Sequence, residues 1–105
     1  MAKEEREVQT QIIDFLTLKG FYVFKFNNGG HKVRGGYIRT KKSSNGIADV
    51  IGVSPDGRFV AVECKKPGGV ASKEQVAFID DVKKRGGFAL IAYSLGDVIQ
   101  ALEIV

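Results

Sequence analysis

Two carboxylates and an ammonium group near the middle of the chain are of the types that hold a divalent cation and act beside it: Asp49, Glu63 and Lys65. One or two carboxylates can bind Mg²⁺ or Mn²⁺ and leave positions for water and a substrate phosphate. The backbone carbonyl of Cys64 lies between two of these residues and is expected to complete the ligation. A compact cation such as Lys65 can orient the attacking water or offset charge on the phosphate. This combination predicts phosphodiester hydrolysis.

A β-hairpin is predicted to bring these residues together. Residues 50–53 and 59–62 form two runs of β-branched and aromatic residues, and Pro-Asp-Gly at 55–57 is the turn between them. If the three-residue loop sets the register, Ser54 faces Arg58. Successive antiparallel pairs can then be counted outward from the turn.

That count places Asp49 opposite Glu63 on one face of the hairpin, with Lys65 two residues further along the same face. Like charges directly opposed on a sheet repel each other unless a cation lies between them. The pattern therefore favours a metal site over the alternative, a structural carboxylate pair neutralised by Lys65.

The composition is that of one globular domain. The 105 residues suffice for one modest core, and the apolar fraction of 44% and charged fraction of 27% are ordinary. No apolar run has membrane-spanning length, and the charged N-terminus lacks a signal peptide's apolar stretch, so no membrane association is expected. The single cysteine excludes an internal disulfide framework and, with a single histidine, a cysteine-held zinc site. It fits a reducing compartment such as the cytoplasm.

The positive charges of the chain are concentrated in one segment. Between Phe15 and Ala48 there are seven basic residues and no acidic one. This suggests a polyanionic partner, most simply DNA, and the alternative is a solvated basic face. Residues 27–46 are predicted to form a mobile basic loop over the site, with a short flap at 33–40. The predicted DNA-binding residues are Lys25, His31, Lys32, Arg34, Arg39, Lys41 and Lys42.

The remaining elements predict an α/β fold. Helices are expected at about residues 4–19, from the Ser72 cap to about 85, and from Ser94 to about 102. Strands are expected at 21–26 and 88–93, in addition to the hairpin. The order α-β-β-β-α-β-α is best satisfied by a mixed sheet flanked by helices.

At this point the chain resembles a known family. Asp49 followed by Glu63-Cys64-Lys65 is similar to the D…(D/E)-x-K signature of the PD-(D/E)XK nuclease superfamily, and within it to the virus-type replication-repair nuclease (VRR-NUC) domain. That domain has a helix with a Glu, a G-x-x-D strand, an E-x-K strand and a Gln early in the next helix. Here these elements are Glu7, the segment 46–49, the segment 63–65 and Gln75. Ala48 stands where the superfamily's nominal Pro would be.

The resemblance implies a restriction-endonuclease-like α-β-β-β-α-β core, with residues 1–105 as one nuclease domain and Mg²⁺, or Mn²⁺ as a substitute, as cofactor. It implies that Glu7 is an outer metal ligand through water and that Gln75 belongs to the catalytic set. The alternatives are that Glu7 is a solvated helix residue and that Gln75 only completes a capping box with Ser72. The Cys64 side chain is expected to be a small core residue and not a nucleophile.

The implied function is a DNA endonuclease or nickase that acts on branched or Holliday-junction DNA in phage or bacterial replication and repair. Related small nucleases act as homodimers, and one domain of this size holds one site, so a homodimer is expected. The expected location is the cytoplasm of a bacterial or phage-infected cell. The alternatives are an exonuclease and a catalytically silent DNA-binding module on the same fold.

Overall fold

The computed structural model describes residues 3–26, 31–33, 36–38 and 46–104. For the two short segments 31–33 and 36–38 it describes the backbone alone. The described elements, in chain order, are α1 (Lys3–Leu18), β1 (Tyr22–Lys25), β2 (His31–Val33), β3 (Gly36–Ile38), β4 (Val50–Val53), β5 (Phe59–Cys64), α2 (Lys73–Lys84), β6 (Phe88–Ala92) and α3 (Leu95–Ile104).

A four-stranded mixed sheet in the order β1-β4-β5-β6 forms the centre of the fold. Strand β4 pairs antiparallel with both β1 and β5, whereas β6 pairs parallel with β5. A parallel neighbour requires a crossover connection, and α2 supplies it. This topology confirms the α/β prediction and the α-β-β-β-α-β order of a restriction-endonuclease-like core.

The predicted basic loop contains a short antiparallel hairpin that the element order did not include. Its strands are β2 and β3, with His31 opposite Ile38. The predicted flap at 33–40 was therefore placed about two residues too late. Glycines on both sides of the hairpin remove the alternating pattern from which strand ends are read. The predicted mobility of this loop falls mainly on residues outside the described ranges.

Alternation along β5 divides the core between the two faces of the sheet. Val60, Val62 and Cys64 pack on the face that α1 and α3 cover, beside Ile12 and Leu16. The buried position of Cys64 confirms it as a core residue.

On the opposite face, Ala61 packs with Ile79 of α2. Glu63 is two residues beyond Ala61, so it lies on the same face at the end of an otherwise apolar strand.

The turn of the central hairpin sets the predicted register. The Ser54 N–H donates to the Arg58 carbonyl at 2.8 Å, and Gly57 adopts a φ of 87°, as a glycine in a three-residue hairpin loop does. The pairs then run from Val53–Phe59 to Val50–Val62.

The paired residues end at Val50–Val62, so the predicted Asp49–Glu63 pair lies one step beyond the paired part of the hairpin and stays a prediction. The alternation of side chains between the two sheet faces does not extend through Asp49, because Ala48 packs with Ala61 and Ile79 whereas Val50 packs on the face that α1 covers.

Candidate active site

The Asp49 carboxylate replaces a backbone partner at the end of the hairpin. Its Oδ2 accepts a hydrogen bond from the Cys64 N–H at 3.0 Å. The next residue, Lys65, points its N–H the other way, to the Ala92 carbonyl of β6 at 2.9 Å. Since the N–H and C=O of a strand residue face the same neighbour, the Cys64 carbonyl is directed toward the Asp49 side of β5. This is the side that the predicted carbonyl ligand requires.

Glu63 is a buried carboxylate with its two oxygens in different environments. The residue is 2% exposed. Its Oε2 accepts from the Gln75 side-chain Nε2 at 3.0 Å and lies 3.8 Å from the Lys65 Nζ. Its Oε1 is buried and has no hydrogen-bond partner among the described residues. An unpaired buried carboxylate oxygen is costly, and a divalent cation is a partner that would satisfy it.

Burial raises the pKa of both carboxylates when no cation is bound. Burial, and after it repulsion by Asp49, raise the pKa of Glu63 to about 8, and Lys65 opposes the rise. Burial also raises the pKa of Asp49, against the Cys64 N–H and the Lys65 charge, which lower it. Two carboxylates that resist joint ionisation are a suitable site for a cation, because the cation stabilises both charged forms.

The start of α2 orients Glu63 through one side-chain amide. Ser72 caps the helix and accepts from the Gln75 N–H at 3.1 Å, while the Gln75 Oε1 accepts from the Ser72 N–H at 2.8 Å. The amide oxygen is thus directed at the cap, which leaves Nε2 to donate to Glu63. Gln75 therefore completes the capping box and also contacts Glu63 of the candidate site, and its catalytic role stays a prediction.

The glycine of the G-x-x-D segment is required for a steric reason. Gly46 has a φ of +84°, and a Cβ added there would lie 2.5 Å from the backbone carbon and oxygen of Glu74. The segment that leads to Asp49 therefore passes directly against the first turn of α2. A side chain at this position would push apart the two elements that carry Asp49 and Gln75.

The two candidate carboxylates of α1 lie on different sides of the helix. Glu7 is exposed and borders a cleft with Lys25. Glu5 is half-buried, and its charge is a minor contribution, after the dominant effect of burial, to the raised pKa of Asp49. Within the described part of the chain, no group of three or more His, Cys, Asp or Glu residues is arranged to hold a metal. The role of Glu7 stays a prediction.

Glu5 was missed by the sequence reading, although the sequence contains a signal for it. It precedes Gln9 by four residues and Ile12 by seven, and both of these are buried. This spacing places Glu5 on the inward stripe of α1. The resemblance instead drew attention to Glu7, which is two residues out of phase with that stripe.

Of the predicted DNA-binding residues, Lys25 is the one whose side chain the structure describes. It ends β1 opposite Val50, and the next residue, Phe26, donates its N–H to the Asp49 carbonyl at 2.7 Å. Lys25 is therefore close to the candidate site. His31 and Lys32 lie in β2, whose backbone alone is described, and the remaining four predicted residues lie outside the described ranges: Arg34, Arg39, Lys41 and Lys42. The DNA contacts of the loop stay predictions.

Comparison with known families agrees with this geometry. The model of the VRR-NUC domain matches residues 4–95, which is most of the chain. The matched range begins at the second residue of α1 and includes every element up to the end of β6. The chain belongs to the VRR-NUC family. No curated protein and no solved structure matches the chain significantly.

The VRR-NUC family is a nuclease family, and this membership implies DNA as the substrate. All candidate site residues, from Glu5 to Gln75, fall inside the matched range. In the described part of the chain, no helix is long and apolar enough to cross a membrane.

Proposed function

We propose that this VRR-NUC protein is a Mg²⁺-dependent DNA endonuclease or nickase. The observation that carries the proposal is the buried Glu63 Oε1, which has no partner among the described residues, in a carboxylate that the charges of Asp49 and Lys65 both reach. Two carboxylates that resist joint ionisation are suited to bind a hard cation such as Mg²⁺. A cation bound in this way is what phosphodiester hydrolysis requires.

Asp49, Glu63 and the Cys64 carbonyl are the groups that would hold Mg²⁺ or Mn²⁺. Such a cation, when bound, lowers the pKa of water and stabilises charge on the phosphate. Lys65 has a mostly buried side chain whose ammonium lies 3.8 Å from Glu63 Oε2, where it can offset charge on the reacting phosphate. Gln75 fixes the rotamer of Glu63 and is proposed as a positioning residue.

The proposed substrate is branched or Holliday-junction DNA in phage or bacterial replication and repair. The chain is proposed to act as one nuclease domain in the cytoplasm and as a homodimer, because one site per chain requires two protomers to cut both strands. Exonuclease activity and a catalytically silent DNA-binding module are the competing functions.

Closed circular plasmid and a four-way junction with its matched linear duplex, each incubated with Mg²⁺, separate these functions. We expect nicking of the closed circle and faster cleavage of the junction than of the duplex. Mn²⁺ should substitute, whereas Ca²⁺ should support binding without cleavage because its larger and looser coordination shell positions water poorly. Loss of linear DNA alone would identify an exonuclease, and binding without any cleavage would identify a silent module. Undiminished cleavage in excess EDTA would contradict the metal-dependent mechanism.

We propose that Glu5, which contributes charge at Asp49, is the α1 carboxylate that assists the metal. Glu5→Gln should weaken Mn²⁺ binding about 10-fold or more, the effect typical of groups just outside the ligand set. Glu7→Gln is the matched control on the exposed side of the same helix and should change Mn²⁺ affinity little. Isothermal titration calorimetry of the two variants decides between them, and the opposite result would assign the role to Glu7.

A further inference from the structure

A cleft of about 560 Å³ lies between α1 and the end of β1. We call it the α1–β1 cleft and define it by its lining residues: Lys3, Arg6, Glu7, Thr10 and Gln11 from α1 and Lys25 from β1. Three of these side chains are positively charged, one is negatively charged, and the other two carry hydrogen-bonding groups. No aliphatic or aromatic side chain is among these residues.

The lining residues of α1 form one continuous polar face. Positions 3, 6, 7, 10 and 11 recur at the spacing that aligns side chains along one side of a helix. The buried side of α1 carries Gln9, Ile12 and Leu16, so this polar face is not used for packing against the sheet. Neither Lys3 nor Lys25 forms an ion pair with a described residue. Their charges are therefore available to a ligand.

The α1–β1 cleft is adjacent to the candidate active site. Lys25 is opposite Val50, whose side chain is buried on the α1 face, and Asp49 directly precedes Val50. The Asp49 carboxylate accepts from the Cys64 N–H at the same end of the sheet. A nucleic-acid strand that passes over this end of the sheet would therefore leave the carboxylates and meet Lys25 next.

We propose that the α1–β1 cleft binds the sugar-phosphate backbone of the DNA strand on one side of the scissile bond. This inference rests on the proposed nuclease function. Lysine, arginine, threonine and glutamine are the side chains that contact phosphates, and such contacts position a duplex without reading its sequence. No aromatic residue is among the described residues of the lining, which disfavours base stacking on this part of the cleft. Glu7, placed among the cations, weakens the attraction.

Neutralising the two lysines tests the α1–β1 cleft. A Lys3→Gln/Lys25→Gln variant should bind a fluorescent 30-base-pair duplex in Ca²⁺ more weakly, for every sequence tried. If each lysine neutralises one phosphate, the slope of log K against log salt should fall by about 2. The matched control is Lys83→Gln/Lys84→Gln, which removes the same charge from the last turn of α2. An equal loss in the control, or no loss in the cleft variant, would overturn the assignment.

Two further measurements separate this inference from the nuclease assignment. In phosphate ethylation interference, modified phosphates on one side of the cut should impair binding of the wild type but not of the cleft variant. An unchanged interference pattern would contradict the proposal even if the protein is a nuclease. Glu7→Gln should tighten DNA binding, because it removes a negative charge from the cleft, and weakened binding would also count against it. None of these binding measurements requires cleavage, so the cleft can be confirmed in a protein that does not cut.

Discussion

Asp49→Asn, Glu63→Gln and Lys65→Ala should each slow DNA cleavage by on the order of 10²–10³-fold, a size typical for loss of one group that stabilises transition-state charge. The two amides keep the shape of the carboxylates but not their negative charge, and the alanine removes the cation 3.8 Å from Glu63 Oε2. DNA binding in Ca²⁺ and the circular dichroism spectrum should change little. Single-turnover cleavage of plasmid in Mg²⁺ gives the rates.

Matched controls for these variants come from exposed positions of the same residue types. Asp80→Asn, Glu103→Gln and Lys84→Ala alter charge by the same amounts at exposed positions of α2 and α3. They should cleave at the wild-type rate. Cleavage by Lys65→Ala at the wild-type rate would remove Lys65 from the catalytic set, and equal losses in the controls would point to an effect of net charge.

The second large effect is on stability in metal-free buffer, where the free energy of unfolding should fall as the pH rises from about 4.5 to about 8. In the folded protein, burial and then repulsion by Asp49 raise the pKa of Glu63 from its ordinary 4.5 to about 8. Between these values the folded state binds more protons than the unfolded state, so stability decreases with pH. The slope can reach about 1.4 kcal/mol per pH unit from this group. The raised pKa of Asp49 acts in the same direction.

Urea denaturation in EDTA at pH 5, 6, 7 and 8 measures this dependence. Glu63→Gln should flatten the profile and be more stable than the wild type at pH 8, whereas Asp80→Asn should keep the wild-type profile. Addition of Mg²⁺ at pH 8 should recover stability in the wild type and not in Glu63→Gln. A flat or rising wild-type profile would show that the pair does not hold the protons we assign to it.

The hairpin register could be predicted because its determinants are local. Pro55, Asp56 and Gly57 select a three-residue turn, and the turn decides which residues face each other as far as Val50 and Val62. The two alternatives for Gln75 could not be separated from sequence because they do not compete. A side-chain amide has an acceptor end and a donor end, and here each end has its own partner.

The carboxylate of α1 was predictable from the helical spacing of the buried residues, but the resemblance directed attention to Glu7 instead. Which of Glu5 and Glu7 approaches Asp49 depends on the rotation of the helix, and packing of Ile12 and Leu16 against the sheet decides that rotation. The loop between β1 and β4 gave the weakest prediction, because glycine-rich segments carry little alternation and few constraints on register.

The buried carboxylate pair also determines how this domain would respond to selection. An amide or an apolar residue at position 63 would occupy the same space without an unpaired charge, and removal of either carboxylate relieves the repulsion. A library of variants sorted only for resistance to heat or proteolysis in metal-free buffer should therefore accumulate changes at Asp49 and Glu63. The most stable variants from such a library would be inactive. Positions at which selection for stability replaces the residue of this chain would therefore mark the active site without any assay of cleavage.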